Sequence, residues 1–216
     1  MLPVNKIMKQ SILILCCICF FSCQNNKQVG NHEPEQEKNF VEKNLNTKTI
    51  YIQPLGNVNQ EYVNYIKKSV ESFYSYDCVI KSKLNVSNDI LAGSKTRYEA
   101  GKILKKYNSK ENILLITEKD IAHRKSKEFP EWGIFGLGYR PGTTCVISTF
   151  RLKKNVSKAK FLERLKKVAL HEIGHNLGLE HCTNDKNCMM TSASGTVKQV
   201  DKEKIWFCKK CWNALM

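Results

Sequence analysis

Residues 171–181 read HEIGHNLGLEH, and no other stretch of the chain restricts its fold as tightly. Three of the five histidines fall within these eleven residues. His171 and His175 stand four apart in the segment SKAKFLERLKKVALHEIGHNLGL (157–179), whose pattern is that of a long amphipathic helix. Ser157 suits the N-cap, and Phe161, Leu165, Val168 and Leu170 mark the buried side. The spacing puts both imidazoles on one helix face, one turn apart, where they can reach a single ion. Two histidines leave a catalytic zinc one protein ligand short. Gly178 lets the helix stop in a left-handed conformation that a Cβ resists. The chain can then turn back and bring His181 in as a third nitrogen.

Glu172 projects about a hundred degrees round the helix from His171. From there it can reach a water without itself binding the metal. Zinc makes such a water acidic near neutral pH. A carboxylate beside it can take the proton and later pass it to a leaving amine. The bare H-E-x-x-H string is a weak signal, whereas the extended form on an amphipathic helix, with glycine in place, is a strong one.

Four cysteines follow. Cys208-Lys-Lys-Cys211 is a C-x-x-C knuckle, and Cys182 and Cys188 form a second, wider pair. Four thiolates from two short hooks suit a tetrahedral zinc; two disulfides are the alternative in an oxidising compartment. The zinc reading gives two Zn2+ ions, one catalytic and one structural, the latter pinning the C-terminal tail onto the domain. Cys78 and Cys145 lie in expected strands as buried thiols, with a disulfide between them as the alternative. His123, in a charged loop, and His32, in a polar segment, read as surface residues.

With these residues in view, the sequence resembles the archaemetzincins, and the string from His171 to His181 is similar to the metzincin signature. The family pattern continues with a cysteine directly after the last histidine, a second cysteine followed by x-Met, seventeen residues, and C-x-x-C. This chain has His181-Cys182, Cys188-Met189-Met190, the seventeen residues 191–207, and Cys208-x-x-Cys211. It departs from the pattern in one place: five residues separate Cys182 from Cys188, where the family usually has four. The segment WGIFGLGYRPGTTCVISTFRL (132–152) also looks like the family's segment ahead of the active-site helix, and the resemblance runs from Thr49 to Cys211. It implies that His171, His175 and His181 hold a catalytic zinc and that Glu172 is the general base and acid. It further implies that Met190 is the methionine of a turn beneath the metal, and that Cys182, Cys188, Cys208 and Cys211 hold a structural zinc. The strand around Phe135 to Tyr139 would be a rim along which an extended peptide lies.

The rest of the domain reads as alternating strands and helices. Strands are expected over residues 49–56, 77–86 and 112–120, helices over 59–75 and 94–108, and a hairpin-like pair over 132–152. That order gives a mixed α/β (α+β) domain of three layers with a mixed twisted sheet, the active-site helix and a cysteine-rich tail.

At the N-terminus, Lys6 and Lys9 precede the apolar run Ile12 to Phe21, which ends at Ser22-Cys23. Ten apolar residues suit the h-region of a secretory signal and are too few to span a bilayer. A small residue directly before a cysteine resembles a bacterial lipoprotein signal. This divides the chain into a signal peptide (1–22), a polar tether beginning at the lipid-anchored Cys23 (23–48), and the folded domain (49–216). The resemblance places the domain outside the cytoplasm on a membrane anchor. The formal charge is +15, or +13 once Lys6 and Lys9 leave with the signal. The lysines are spread along the chain and are not massed with aromatics, so they read as a solvated surface and nucleic acid is not expected as a partner.

Together these features give a monomeric, membrane-tethered zinc metallopeptidase acting on peptide or protein substrates. The alternative is a non-catalytic zinc- or peptide-binding lipoprotein on the same fold. Retention of Glu172 counts against it, because binding needs the histidines but not that carboxylate.

Overall fold

The computed structural model describes residues 48–215. The expected signal peptide, Cys23 and the tether as far as residue 47 lie outside the described residues. Among the described residues, no helix is long and apolar enough to cross a membrane.

Two sheets organise the domain. The larger contains β1 (Thr49–Pro54), β2 (Asp77–Ile80), β4 (Asn112–Thr117), β7 (Gly136–Gly138) and β8 (Thr144–Ser148), in the order β2-β1-β4-β8-β7. Its pairings are parallel except at the β7 edge, where β7 runs antiparallel to β8. The central strand β4 is a continuous apolar run because helices cover both of its faces. Leu114 and Ile116 enter one core, and Ile113 and Leu115 the other, following the two-residue period of a strand.

The first core is closed by α1 (Gln60–Tyr74) and α3 (Lys158–Asn176), the second by α2 (Ala100–Lys106). Asn59 caps α1 by accepting from the Glu61 N–H, and Ser157 caps α3 by accepting from the Lys160 N–H at 3.3 Å. All four residues expected on the buried side of α3 are buried. The Tyr74 hydroxyl donates to the Leu170 carbonyl at 2.7 Å and ties the end of α1 to α3, one residue before His171.

A smaller sheet orders β3 (Tyr98–Glu99), β5 (Ile121–His123) and β6 (Trp132–Ile134). It was not expected, and it cuts short the helix expected over 94–108. Tyr98 and Glu99 pair with Ile121 and Ala122, and Arg97 is drawn to Asp120 at 2.9 Å. Helix α2 therefore starts only at Ala100, capped by Glu99, which accepts from the Lys102 N–H at 2.6 Å. His123 lies on β5 instead of in a loop; it is exposed, with Nδ1 3.1 Å from Glu99 Oε1. The strand expected to run to Val86 ends at Ile80, and Leu84 adds an isolated bridge to Leu55. Residues 132–152 divide between the sheets at Phe135: β6 joins the small sheet, while β7 and β8 form the expected hairpin. Two short helices, α4 (Val197–Lys202) and α5 (Lys209–Leu215), complete the tail.

Candidate active site and metal centres

Helix α3 passes beneath the β7 edge. An ideal Cβ on Gly136 would lie 2.5 Å from Glu172 Oε1, so the carboxylate fits only because that position has no side chain. Glu172 is buried. Burial pushes its carboxyl up to about 8.

Beyond α3, Gly178 takes φ +99°, the left-handed turn that its position suggested. The reversal brings His181 beside His171 and His175, with ring centroids 4.7 to 5.5 Å apart. One ligand atom from each of the three lies within 4.8 Å of the others. His171 Nδ1 sits 2.6 Å from the Met189 carbonyl, and His175 Nδ1 sits 2.7 Å from that of Leu179. A carbonyl only accepts, so each Nδ1 carries the hydrogen and each Nε2 keeps a free lone pair for a metal. Burial, and then the neighbouring His175, pushes His171 down to about 3, which keeps it neutral as a ligand must be.

Met190 is fully buried, and an ideal Cβ on Gly174 would lie 2.7 Å from its Sδ. It therefore packs against α3 between the two helical histidines.

Cys182, Cys188, Cys208 and Cys211 form the second cluster, with all four sulfurs within 4.8 Å of one another. Cys182 and Cys208 are 3.6 Å apart, Cys188 and Cys211 3.8 Å, and Cys208 and Cys211 3.7 Å. Four thiolates about 2.3 Å from a tetrahedral zinc have edges of about 3.8 Å. A disulfide would need about 2.05 Å, so the spacing fits the ion and not the bridges. The five-residue spacer between Cys182 and Cys188 leaves the set intact. Burial would raise Cys208, but the Cys211 N–H and the neighbouring thiols bring it down to about 7. Cys78 and Cys145, in β2 and β8, are buried free thiols. Burial pushes Cys78 up to about 12.

Two further residues at the site, Asn176 and Glu203, had no signal in the sequence. Asn176 follows His175, and its carbonyl accepts from the Gly142 N–H at 3.0 Å, which fastens the β7–β8 turn to the end of α3. A cavity of about 340 Å³ is lined by His171, Glu172 and His181 together with Phe135, Val168 and Glu203.

Comparison with known proteins agrees with this geometry. The model for Peptidase family M54 matches residues 98–216. The archaemetzincin of Archaeoglobus fulgidus is 35% identical over 162 residues, spanning 75% of this chain and 95% of the relative. That of Methanocaldococcus jannaschii is 35% identical over 176 residues, spanning 77% of this chain and 92% of the relative. The crystal structure of the A. fulgidus archaemetzincin complexed with malonate superposes with a TM-score of 0.68 at 32% identity, covering 77% of this chain and 99% of that one. The fold and the family define a zinc metallopeptidase. Within that class, the chain belongs to peptidase family M54, the archaemetzincins.

Proposed function

We propose that the chain hydrolyses peptide bonds at the three-histidine cluster, with His171, His175 and His181 holding the catalytic zinc and Glu172 acting as general base and then acid. Zinc, when bound there, supplies a Lewis acid that polarises the scissile carbonyl and makes water acidic. The residues around it do the rest. Free Nε2 atoms on His171 and His175 accept the ion while the Met189 and Leu179 carbonyls fix both rings. Glu172, its carboxyl raised by burial, takes a proton from water and returns it to the leaving amine. The edge strand β7 offers its outer backbone groups to an extended peptide. Met190 supports α3 from below. The observation that carries this reading is the Glu172 carboxylate, held against Gly136 beside the three histidines.

The same proposal includes a second zinc on Cys182, Cys188, Cys208 and Cys211, a closed structural site that fastens the tail. It also includes export, a lipid anchor on Cys23 and action as a membrane-tethered monomer. The leader pattern of residues 1–23 supports the anchor.

The test is cleavage of a mixed peptide library by purified wild type and by Glu172→Gln. Wild type should cleave; the variant should lose about 10³-fold or more in kcat/KM while keeping its metal and its melting temperature. Equal activity in both would refute the role of Glu172. Metal binding without cleavage in either would favour a binding protein.

A further inference from the structure

The cavity beside the histidines is not uniformly apolar. Ile134, Phe135, Val168 and Val200 line its walls, together with the charged side chains of Lys125, Lys167 and Glu203, the last just past the end of α4. Glu203 is 5% exposed, and its Oε1 is buried with no hydrogen-bond partner. An unsatisfied buried carboxylate oxygen carries a desolvation cost that only a donor or a cation removes. Gln199 hydrogen-bonds the carboxyl group, but its charged neighbour Lys167, one turn before His171, makes no hydrogen bond to Oε1. Its Nζ is instead engaged by the Val200 carbonyl at 3.0 Å and by Glu163 Oε1 at 2.6 Å. Burial, partly offset by Gln199 and Lys167, pushes the Glu203 carboxyl up to about 7, as expected of a group without full compensation.

Strand direction decides which substrate residue meets this cavity. The cavity touches Ile134, Phe135 and Gly136, from the end of β6 to the start of β7. Antiparallel pairing is the more stable way to extend an edge strand. A peptide paired antiparallel to β7 runs from the Gly138 end towards Gly136, so the residue after the scissile bond faces the cavity.

We infer that Glu203 makes this cavity selective for a basic side chain, lysine or arginine, on the residue immediately after the scissile bond. The apolar walls cover the aliphatic stem of such a side chain, and the carboxylate meets its charged head. This inference rests on the proposed peptidase site and adds its substrate class.

Two matched peptide hydroxamates test it, differing only in carrying lysine or norleucine at that position. Their binding to the zinc-loaded chain is measured by calorimetry, alongside kcat/KM on peptides with the same pair of residues after the cleaved bond. Wild type should favour lysine by about tenfold or more in both measurements, and Glu203→Leu should reverse the order. A wild-type preference for norleucine overturns the inference, with or without a well-folded variant. So does an unchanged ratio in Glu203→Leu. Hydroxamate binding that discriminates as expected, in a chain that cleaves no peptide, would uphold the cavity's selectivity and refute the hydrolytic mechanism instead.

Discussion

His181 and Cys182 are adjacent in the chain yet belong to different clusters. His181 joins the histidine cluster and Cys182 the cysteine cluster, so one step along the chain separates the two sites. The histidine cluster is open: His171 and His175 are half-buried, His181 is exposed, and a cavity leads away from them. The cysteine cluster is closed: three of its members are buried and Cys182 is half-buried. Phe207, fully buried, packs beside it against Phe73 and Tyr74 at 5.1 and 6.0 Å between centroids. On the proposed reading, openness separates a site that takes substrate from one that holds the fold together.

Variants can set the two sites against each other. The widest contrast is between His175→Ala and Cys211→Ser. His175→Ala should abolish cleavage while leaving the melting temperature close to wild type. Cys211→Ser should cost on the order of 4 kcal/mol, the scale of a lost structural metal, measured by urea unfolding. If both variants lose activity and stability alike, the two clusters are one unit and the comparison fails.

Gly136→Ala sharpens the open side. Its Cβ would fall 2.5 Å from Glu172 Oε1, so the carboxylate must move. Steady-state assays should show kcat/KM lower by about 10²-fold, with stability little changed. Gly174→Ala probes the floor, where the new methyl meets Met190 Sδ at 2.7 Å. It should destabilise by about 1–3 kcal/mol in chemical denaturation, because a packed core yields little. The smallest effect is expected of Tyr74→Phe, which removes the hydrogen bond to the Leu170 carbonyl. A loss of about 1 kcal/mol, with zinc content and cleavage retained, would show that this link serves stability alone.

Much of the site was legible because its signals are local. The spacing of His171 and His175, the glycine at 178 and the two cysteine pairs each encode geometry within a few residues. The hairpin of β7 and β8 was legible from its glycines and its β-branched run. The small sheet was not, because Tyr98–Glu99 and Ile121–His123 become strands only by meeting each other. The same pairing truncated the expected helix over 94–108, whose apolar spacing held only for Ile103 and Leu104 in its second half. Glu203 and Lys167 had no signal for a related reason. A glutamate in a lysine-rich tail looks solvated until the fold buries it in the wall of the cavity that His171 and His181 also line, 31 positions from Glu172.

The most direct measurement is zinc per chain, by elemental analysis, in wild type, His175→Ala and Cys211→Ser. Two separate sites give two ions in wild type and one in each variant, with the ion retained by His175→Ala the harder to remove by chelation. A single ion in wild type, or loss of both ions from either variant, would contradict the division into an open working site and a closed structural one.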